Sequence, residues 1–239
     1  MAERQINPNL RKLAELTHNP NLEIDKTMFE KEIEISYSNA PELKGMIYVP
    51  SVNLYFAKEK SLLGKNWLES QNELLSQASG SMPTPYQFKE FLKHLRDNPN
   101  KENIKIYNEI TEVRVPWRAE WLNARFEKRK NGLYMISQNI LENGKYKNIE
   151  QKLDNVLMKD KDPGISLDKW LNSNENHGLP ESNIANGRLY YWYPRDKAVA
   201  RFDADSGRAD LGCGGDPGDS YSSLGVRVVV RPKGVSPKS

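Results

Sequence analysis

Between residues 198 and 226 the chain reads AVARFDADSGRADLGCGGDPGDSYSSLGV, and within it small or apolar residues alternate with Asp and Gly. Phe202, Ala204 and Ser206 alternate with Asp203, Asp205 and Gly207. After Arg208, the residues Ala209, Leu211 and Cys213 alternate with Asp210, Gly212 and Gly214. Period two is the strand period, so each set belongs to its own face of a sheet. One face can pack on a core. The other carries two of the poorest strand formers, where an ordinary solvent-facing strand favours Thr, Lys or Tyr. That second face is therefore expected to serve something other than sheet stability.

The composition of the segment is equally unusual. It contains no Lys, Glu, Gln, Met or Trp, although the whole chain has 22 Lys and 20 Glu. It holds five of the 12 Asp and six of the 15 Gly. Two Arg against five Asp give it a side-chain charge of −3 in a chain whose net charge is +3.

The rest of the 239-residue chain bounds the possibilities. Its length suits one large domain or two small ones, and five Trp, eleven Tyr and six Phe can anchor a core. The near balance of charge lacks the basic footprint of a nucleic-acid binder. The densest basic run, Arg125, Lys128, Arg129 and Lys130 around Glu127, reads as a solvated face beside an Asn131-Gly132 turn. A lone cysteine, Cys213, excludes an intrachain disulfide and any zinc site built on two cysteines. His18, His94 and His177 are scattered and read as surface residues, so no metal and no cofactor is expected. The N-terminal MAERQINPNLRKLAEL has no apolar h-region, so no secretory signal is expected, and no stretch approaches a membrane span. Cell surface and cytoplasm both remain open.

Local patterns predict helices early and strands late. Helices are expected over Asn9–His18, Trp67–Ala78 and a segment begun by Thr84 and Pro85, with Phe88, Phe91, Leu92 and Leu95 inward. A short turn over Ile104–Thr111, a helix over Lys147–Lys161 and a short one over Leu167–Leu171 follow. Strands are expected over Met28–Ser36, Gly45–Phe56 broken at Pro50, the start of Glu112–Asn123, Leu133–Ser137, Gly187–Tyr193 and Leu224–Arg231. Asn143-Gly144 and Lys161-Asp162-Pro163-Gly164 read as turns, 172–187 as a long loop, and 232–239 as a tail after a single domain over 1–231.

Four readings compete for the alternating segment. A loop-rich meander explains the glycines but neither the alternation nor the missing Lys and Glu. A calcium loop is suggested by Asp203-x-Asp205-x-Gly207, but Gly207, Arg208 and Gly214 stand where that motif wants an oxygen ligand, Gly and Glu. Catalysis by paired carboxylates lacks a neighbouring His or Lys, and Cys213 falls on the apolar face as a buried thiol. Display is the fourth: a fixed inner face lets the outer face vary, because exposed substitutions cost little stability.

The stretch ARFDADSGRADLGCGGDP…SYSSLGVRV resembles the variable region of archaeal diversity-generating retroelement proteins, of the nanoarchaeal AvpA-like type. PTPYQFKEFLKHL (Pro83–Leu95), VPWRAEWLNARFE (Val115–Glu127) and LYYWYPR (Leu189–Arg195) are also similar to that group, so the resemblance covers roughly the last two thirds of the chain. In that family a reverse transcriptase copies a template repeat with errors at adenines, and the copy replaces the C-terminal coding segment. Lys, Glu, Gln, Met and Trp cannot arise from an AAC codon by such errors, and all five are absent here.

The resemblance implies an α+β, C-type lectin-like fold of the formylglycine-generating-enzyme-like subclass, with a small antiparallel sheet carrying residues 198–226. It implies a non-enzymatic binding protein for a protein or surface ligand. The implied variable positions are Asp203, Asp205, Gly207, Arg208, Asp210, Gly212, Gly214, Gly215, Asp216, Gly218, Asp219 and Tyr221. Phe202, Ala204, Ala209, Leu211, Cys213, Pro217, Leu224, Gly225 and Val226 would be scaffold. Related oxidases need a cysteine pair, and calcium-dependent lectins carry Glu-Pro-Asn or Trp-Asn-Asp triplets; the chain has neither. The competing expectation is a metal- or carbohydrate-binding module using Asp203, Asp205 and Asp210.

Overall fold

The helix predicted from Thr84 onward is the one whose sequence signals are most complete. In the computed structural model Thr84 caps it with a reciprocal pair: its side chain accepts from Gln87 N, and Gln87 Oε1 accepts from Thr84 N. Phe88, Phe91, Leu92 and Leu95 point into the core, and Asn98 ends the helix. The structure describes residues 43–77, 80–112, 114–140 and 146–232, all within one compact unit spanning Glu42–Ser239. The expected helix at Asn9–His18, the strand at Met28–Ser36, the Asn143-Gly144 turn and the tail beyond Pro232 lie outside the described residues.

The elements are β1 (Met46–Val49), a single 3-10 turn (Pro50–Val52), β2 (Leu54–Ala57), α1 (Trp67–Gln77), α2 (Pro85–Asp97), α3 (Lys101–Thr111), β3 (Arg118–Arg129), β4 (Gly132–Ile140) and β5 (Tyr146–Lys152). They continue with β6 (Lys161–Ile165), α4 (Leu167–Leu171), β7 (Leu189–Trp192), β8 (Val199–Ala204), β9 (Ala209–Gly215), β10 (Leu224–Gly225) and β11 (Val229–Val230). The architecture is mixed α+β. β1, β2 and β11 form a small sheet. A larger eight-stranded sheet runs β5-β4-β3-β8-β9-β7-β6, with β10 added on β3. Among the described residues no helix is long and apolar enough to cross a membrane.

The sheet that carries the alternating segment is therefore neither small nor purely antiparallel. β8 lies between β3 and β9, and β9 between β8 and β7. The β7–β9 and β10–β3 pairs are parallel. This central position explains how Asp and Gly are tolerated in strands. Both edges of β8 and β9 are hydrogen-bonded to neighbours, so the ladder holds whatever the outward side chains are.

Five local expectations are corrected. Lys147–Lys161 contains no helix: Tyr146–Lys152 is a strand zipped onto β4, from Tyr134 opposite Lys152 to Ile140 opposite Tyr146. Leu153, Val156 and Leu157 do reach the core, but from the loop after the strand, while Ile149 is 42% exposed. Their helix-like spacing was thus not one stripe. The Lys161–Gly164 turn is instead β6, irregularly paired with β7. Gly164, at φ +134° and hard against the Leu189 carbonyl, makes that irregularity possible. Leu224–Arg231 divides into β10 and β11 on different sheets because Arg227, between them, turns inward to Glu120. His177 is buried rather than on the surface, with Nδ1 accepting from Leu179 N and Nε2 3.1 Å from Glu175. α3 is also longer than the short turn expected, because Asn100 caps it one turn earlier.

The inner face of the β8–β9 pair is held by the helices. Phe202 lies 5.4 Å from the Phe88 ring of α2 and stacks on Trp170 of α4 at 6.1 Å. Ala204, Leu211 and Cys213 are fully buried around it. Between the two sheets, Glu120 of β3 receives Arg227 at 2.7 Å and 3.1 Å, and also contacts Arg118. This buried charge cluster holds the Glu120 carboxyl down near 2.

Candidate functional site

Strand register decides which side chains meet. Arg201 stands opposite Gly212, Phe202 opposite Leu211, Asp203 opposite Asp210, and Ala204 opposite Ala209. Phe202, Ala204, Ala209 and Leu211 therefore face the core together. Arg201, Asp203, Asp210 and Gly212 face the other way together.

That outward face is the floor of a concavity of about 590 Å³. Asp203, Asp205, Arg208, Asp210, Gly212, Gly214, Gly215 and Tyr221 line it, together with Trp117, Trp192, Arg195 and Arg201. Gly207, Asp216, Gly218 and Asp219 of the twelve expected positions are not part of the lining. Asp219 reaches its edge through Arg201, whose Nη1 donates to Asp219 Oδ2 at 2.8 Å. Asp216 accepts from Gly218 N and so closes its own turn. Asp205 does the same for Gly207 N and Arg208 N.

The floor is deeper than an open strand face. Asp203 and Asp210 are only 5% and 4% exposed. On one side Trp117 and Tyr221 meet edge to face at 5.4 Å. On the other, the Arg208 guanidinium lies over Tyr190 at 5.0 Å and Trp192 at 5.5 Å. Arg201 lies 5.8 Å over Trp117 and donates through Nε to Asp203 Oδ2 at 2.9 Å. Arg208 donates through Nε to Asp210 Oδ2 at 3.0 Å. Trp117 Nε1 completes Asp203 at 3.4 Å.

Burial pushes both carboxyls upward despite these arginines. Asp203 is raised by desolvation, against the pull of Arg201. Asp210 rises to about 6, from desolvation and then from Asp203, with Arg208 opposing. On the opposite face, burial raises the Cys213 thiol far above its usual range, so it is an inert packing group.

The glycines divide by their backbone. Gly45, Gly64, Gly80, Gly132, Gly164 and Gly178 all sit at positive φ, whereas the glycines of 198–226 do not. A Cβ on Gly207 would meet nothing nearer than 3.5 Å, and one on Gly212 nothing nearer than 3.6 Å. On Gly214 it would touch the flexible Arg195 side chain at 3.3 Å. Gly225, expected as scaffold, has the Ser61 carbonyl at 2.6 Å. Gly215 is the tight case among the variable set, with the Val199 carbonyl at 3.1 Å and Trp121 behind it.

Among the described residues no group of three or more His, Cys, Asp or Glu is gathered as a metal site would require. The sequence reading missed Trp117, Trp192, Arg195 and Arg201 as site residues. Arg201 shares the phase of Asp203 and Asp205, which was sufficient to find it. Of the other three, Trp117 precedes β3, Trp192 ends β7 and Arg195 follows it, in stretches where no local pattern marks an orientation. In comparison with known proteins, the chain matches no family model, no curated protein and no solved structure.

Proposed function

We propose that this chain is a non-enzymatic binding protein whose ligand face is the β8–β9 concavity, diversified by adenine-directed copying of a retroelement template, on a scaffold of the C-type lectin-like class. The observation that carries this reading is the division between the two faces. Alternate residues of one strand pair are either fully packed or turned into one hollow. The glycines turned toward the hollow at Gly212 and Gly214 answer no backbone demand, while the inward Gly225 does. Residues without a structural reason for their identity are what one round of random replacement leaves behind.

The scaffold in this reading is Phe202, Ala204, Ala209, Leu211, Cys213, Pro217, Leu224, Gly225 and Val226, joined by Gly215 because of its contact with Val199. Trp117, Trp192, Arg195 and Arg201 lie outside the variable set and form a constant frame around it. Every copy of the protein would then share the frame and differ in the floor.

Sequencing the DNA beside the coding segment tests this. The expected result is a near-repeat of codons 198–226 that differs mainly at template adenines, with differences concentrated at the eleven named codons other than Gly215. Absence of such a repeat, or differences spread evenly over Phe202 and Leu211, overturns the reading.

A further inference from the structure

We propose that the concavity in this variant takes a cationic side chain, a lysine ammonium or an arginine guanidinium of a basic partner, seated on the Asp203–Asp210 pair between the indoles of Trp117 and Trp192. The proposal rests on the display reading for the identity of the site, and adds the class of ligand.

The floor is one donor short. Asp210 has a side chain only 6% exposed, and its Oδ2 is taken by Arg208. Its Oδ1 is buried and meets no N–H donor among the described residues. What stands opposite across the strand pair is Asp203, another carboxylate. Two carboxylates in contact share a proton or need a cation between them. Arg201 and Arg208 do not suffice, since both acids still hold their protons more tightly than ordinary ones. The other charged groups around the pair are Asp205 in the β8–β9 turn, Asp219 beyond Arg201 and Arg195 near Gly214; Tyr190 of β7 covers Arg208. The arginines are themselves engaged: Arg201 by Asp203 and Asp219, Arg208 by Asp210, Arg195 by Asp160. An incoming anion would meet cations already paired and acids already crowded.

The way in is above Gly212. A Cβ there would stand 3.6 Å from Arg201 Cγ and 3.9 Å from Asp203 Oδ2, so the missing side chain leaves space beside the Arg201–Asp203 pair. The walls suit a cation, since the same indoles already carry guanidiniums at 5.8 Å and 5.5 Å. Charge within the lining is balanced, with Arg195, Arg201 and Arg208 against Asp203, Asp205 and Asp210, so the seat for a cation is set by the unpartnered Asp210 oxygen rather than by a long-range field. On binding, the ammonium N–H groups take the place of the proton shared by the pair, and that proton leaves to solvent.

The test titrates the full chain with Nα-acetyl-lysine methylamide and Nα-acetyl-arginine methylamide, read by tryptophan fluorescence and calorimetry. Nα-acetyl-glutamate methylamide and calcium chloride are the opposing probes. Saturable binding of the two cations is expected above pH 7, weakening about tenfold for each pH unit below 6. Asp210→Asn and Gly212→Leu should each weaken it at least about tenfold. Gly212→Leu keeps every charge and only fills the space at that position, so it decides the matter even if Asp210→Asn does not fold. Absence of saturable cation binding overturns the proposal, as does a response to the glutamate probe or to calcium instead, or binding indifferent to Gly212→Leu. A template repeat without cation binding removes only this ligand; cation binding without a repeat removes only the display reading.

Discussion

Asp203 and Asp210 stand directly opposite each other across the β8–β9 pair, and each is served by a separate arginine two residues away in its own chain segment. The pairing places two like charges at the bottom of an aromatic-walled hollow, where water screens them poorly. Most of what the site does with protons and charge follows from that contact.

The first consequence concerns pH. Asp210 titrates near 6 in the folded chain, above its ordinary 3.8. A raised folded value means that the native chain holds this proton more tightly than the unfolded chain does. Its contribution to stability is full below 3.8 and is lost as pH rises through 6. The stability of the parent chain minus that of Asp210→Asn should therefore fall between these values and level off above them. Urea unfolding at a series of pH values reads this difference; a difference that rises with pH contradicts it.

The two faces of the β8–β9 pair should respond oppositely to substitution. Phe202→Ala empties a site between Phe88 and Trp170 and should cost about 3–5 kcal/mol, and Leu211→Ala about 2–5 kcal/mol. Gly207→Ala and Gly212→Ala meet open space and ordinary backbone angles, so each should stay within about 0.5 kcal/mol of the parent. Chemical denaturation checks all four.

Glu120 should be the most sensitive charged residue of the fold. It is fully buried between Arg118 and Arg227. Glu120→Gln strands two buried guanidiniums and should cost about 3–5 kcal/mol. Glu150→Gln, which breaks only the half-exposed pair with Arg129, should cost far less, because water already screens that pair. Equal losses in urea unfolding would contradict the assignment of Glu120 to a buried cluster.

Cys213 should be silent in the native chain. It is fully buried on the inner face of β9, and burial holds it as the thiol. A chromogenic disulfide reagent should label it only after denaturation, with one equivalent released. Rapid labelling of the folded chain would show that the inner face of β9 is open.

The sequence made the alternation at residues 202–214 legible because strand period is a local property, and it made α2 legible because Thr84, Pro85 and Gln87 signal a cap at fixed spacing. It did not reveal that β8 and β9 are central strands, since pairing with β3 and β7 depends on segments far away in the chain. The same limit hid β5: Lys147–Lys152 becomes a strand because β4 offers an edge, against its own spacing. It also hid the depth of the site. Asp203 and Asp210 read as outward residues, and they are outward, but Trp117, Trp192 and Tyr221 rise around them and leave them almost covered. Only tertiary structure brings those three rings together.

The measurement that bears most directly on the central claim is folding tolerance read position by position. One library randomises Asp203, Asp205, Gly207, Arg208, Asp210, Gly212, Gly214, Asp216, Gly218, Asp219 and Tyr221; a second randomises Phe202, Ala204, Leu211 and Cys213. Protease resistance followed by deep sequencing gives the folded fraction of each. A display surface on a fixed scaffold predicts that most of the first library stays folded while the second is purged to a few small or apolar residues. Purging of the concave positions as strongly as Phe202 and Leu211 would contradict it.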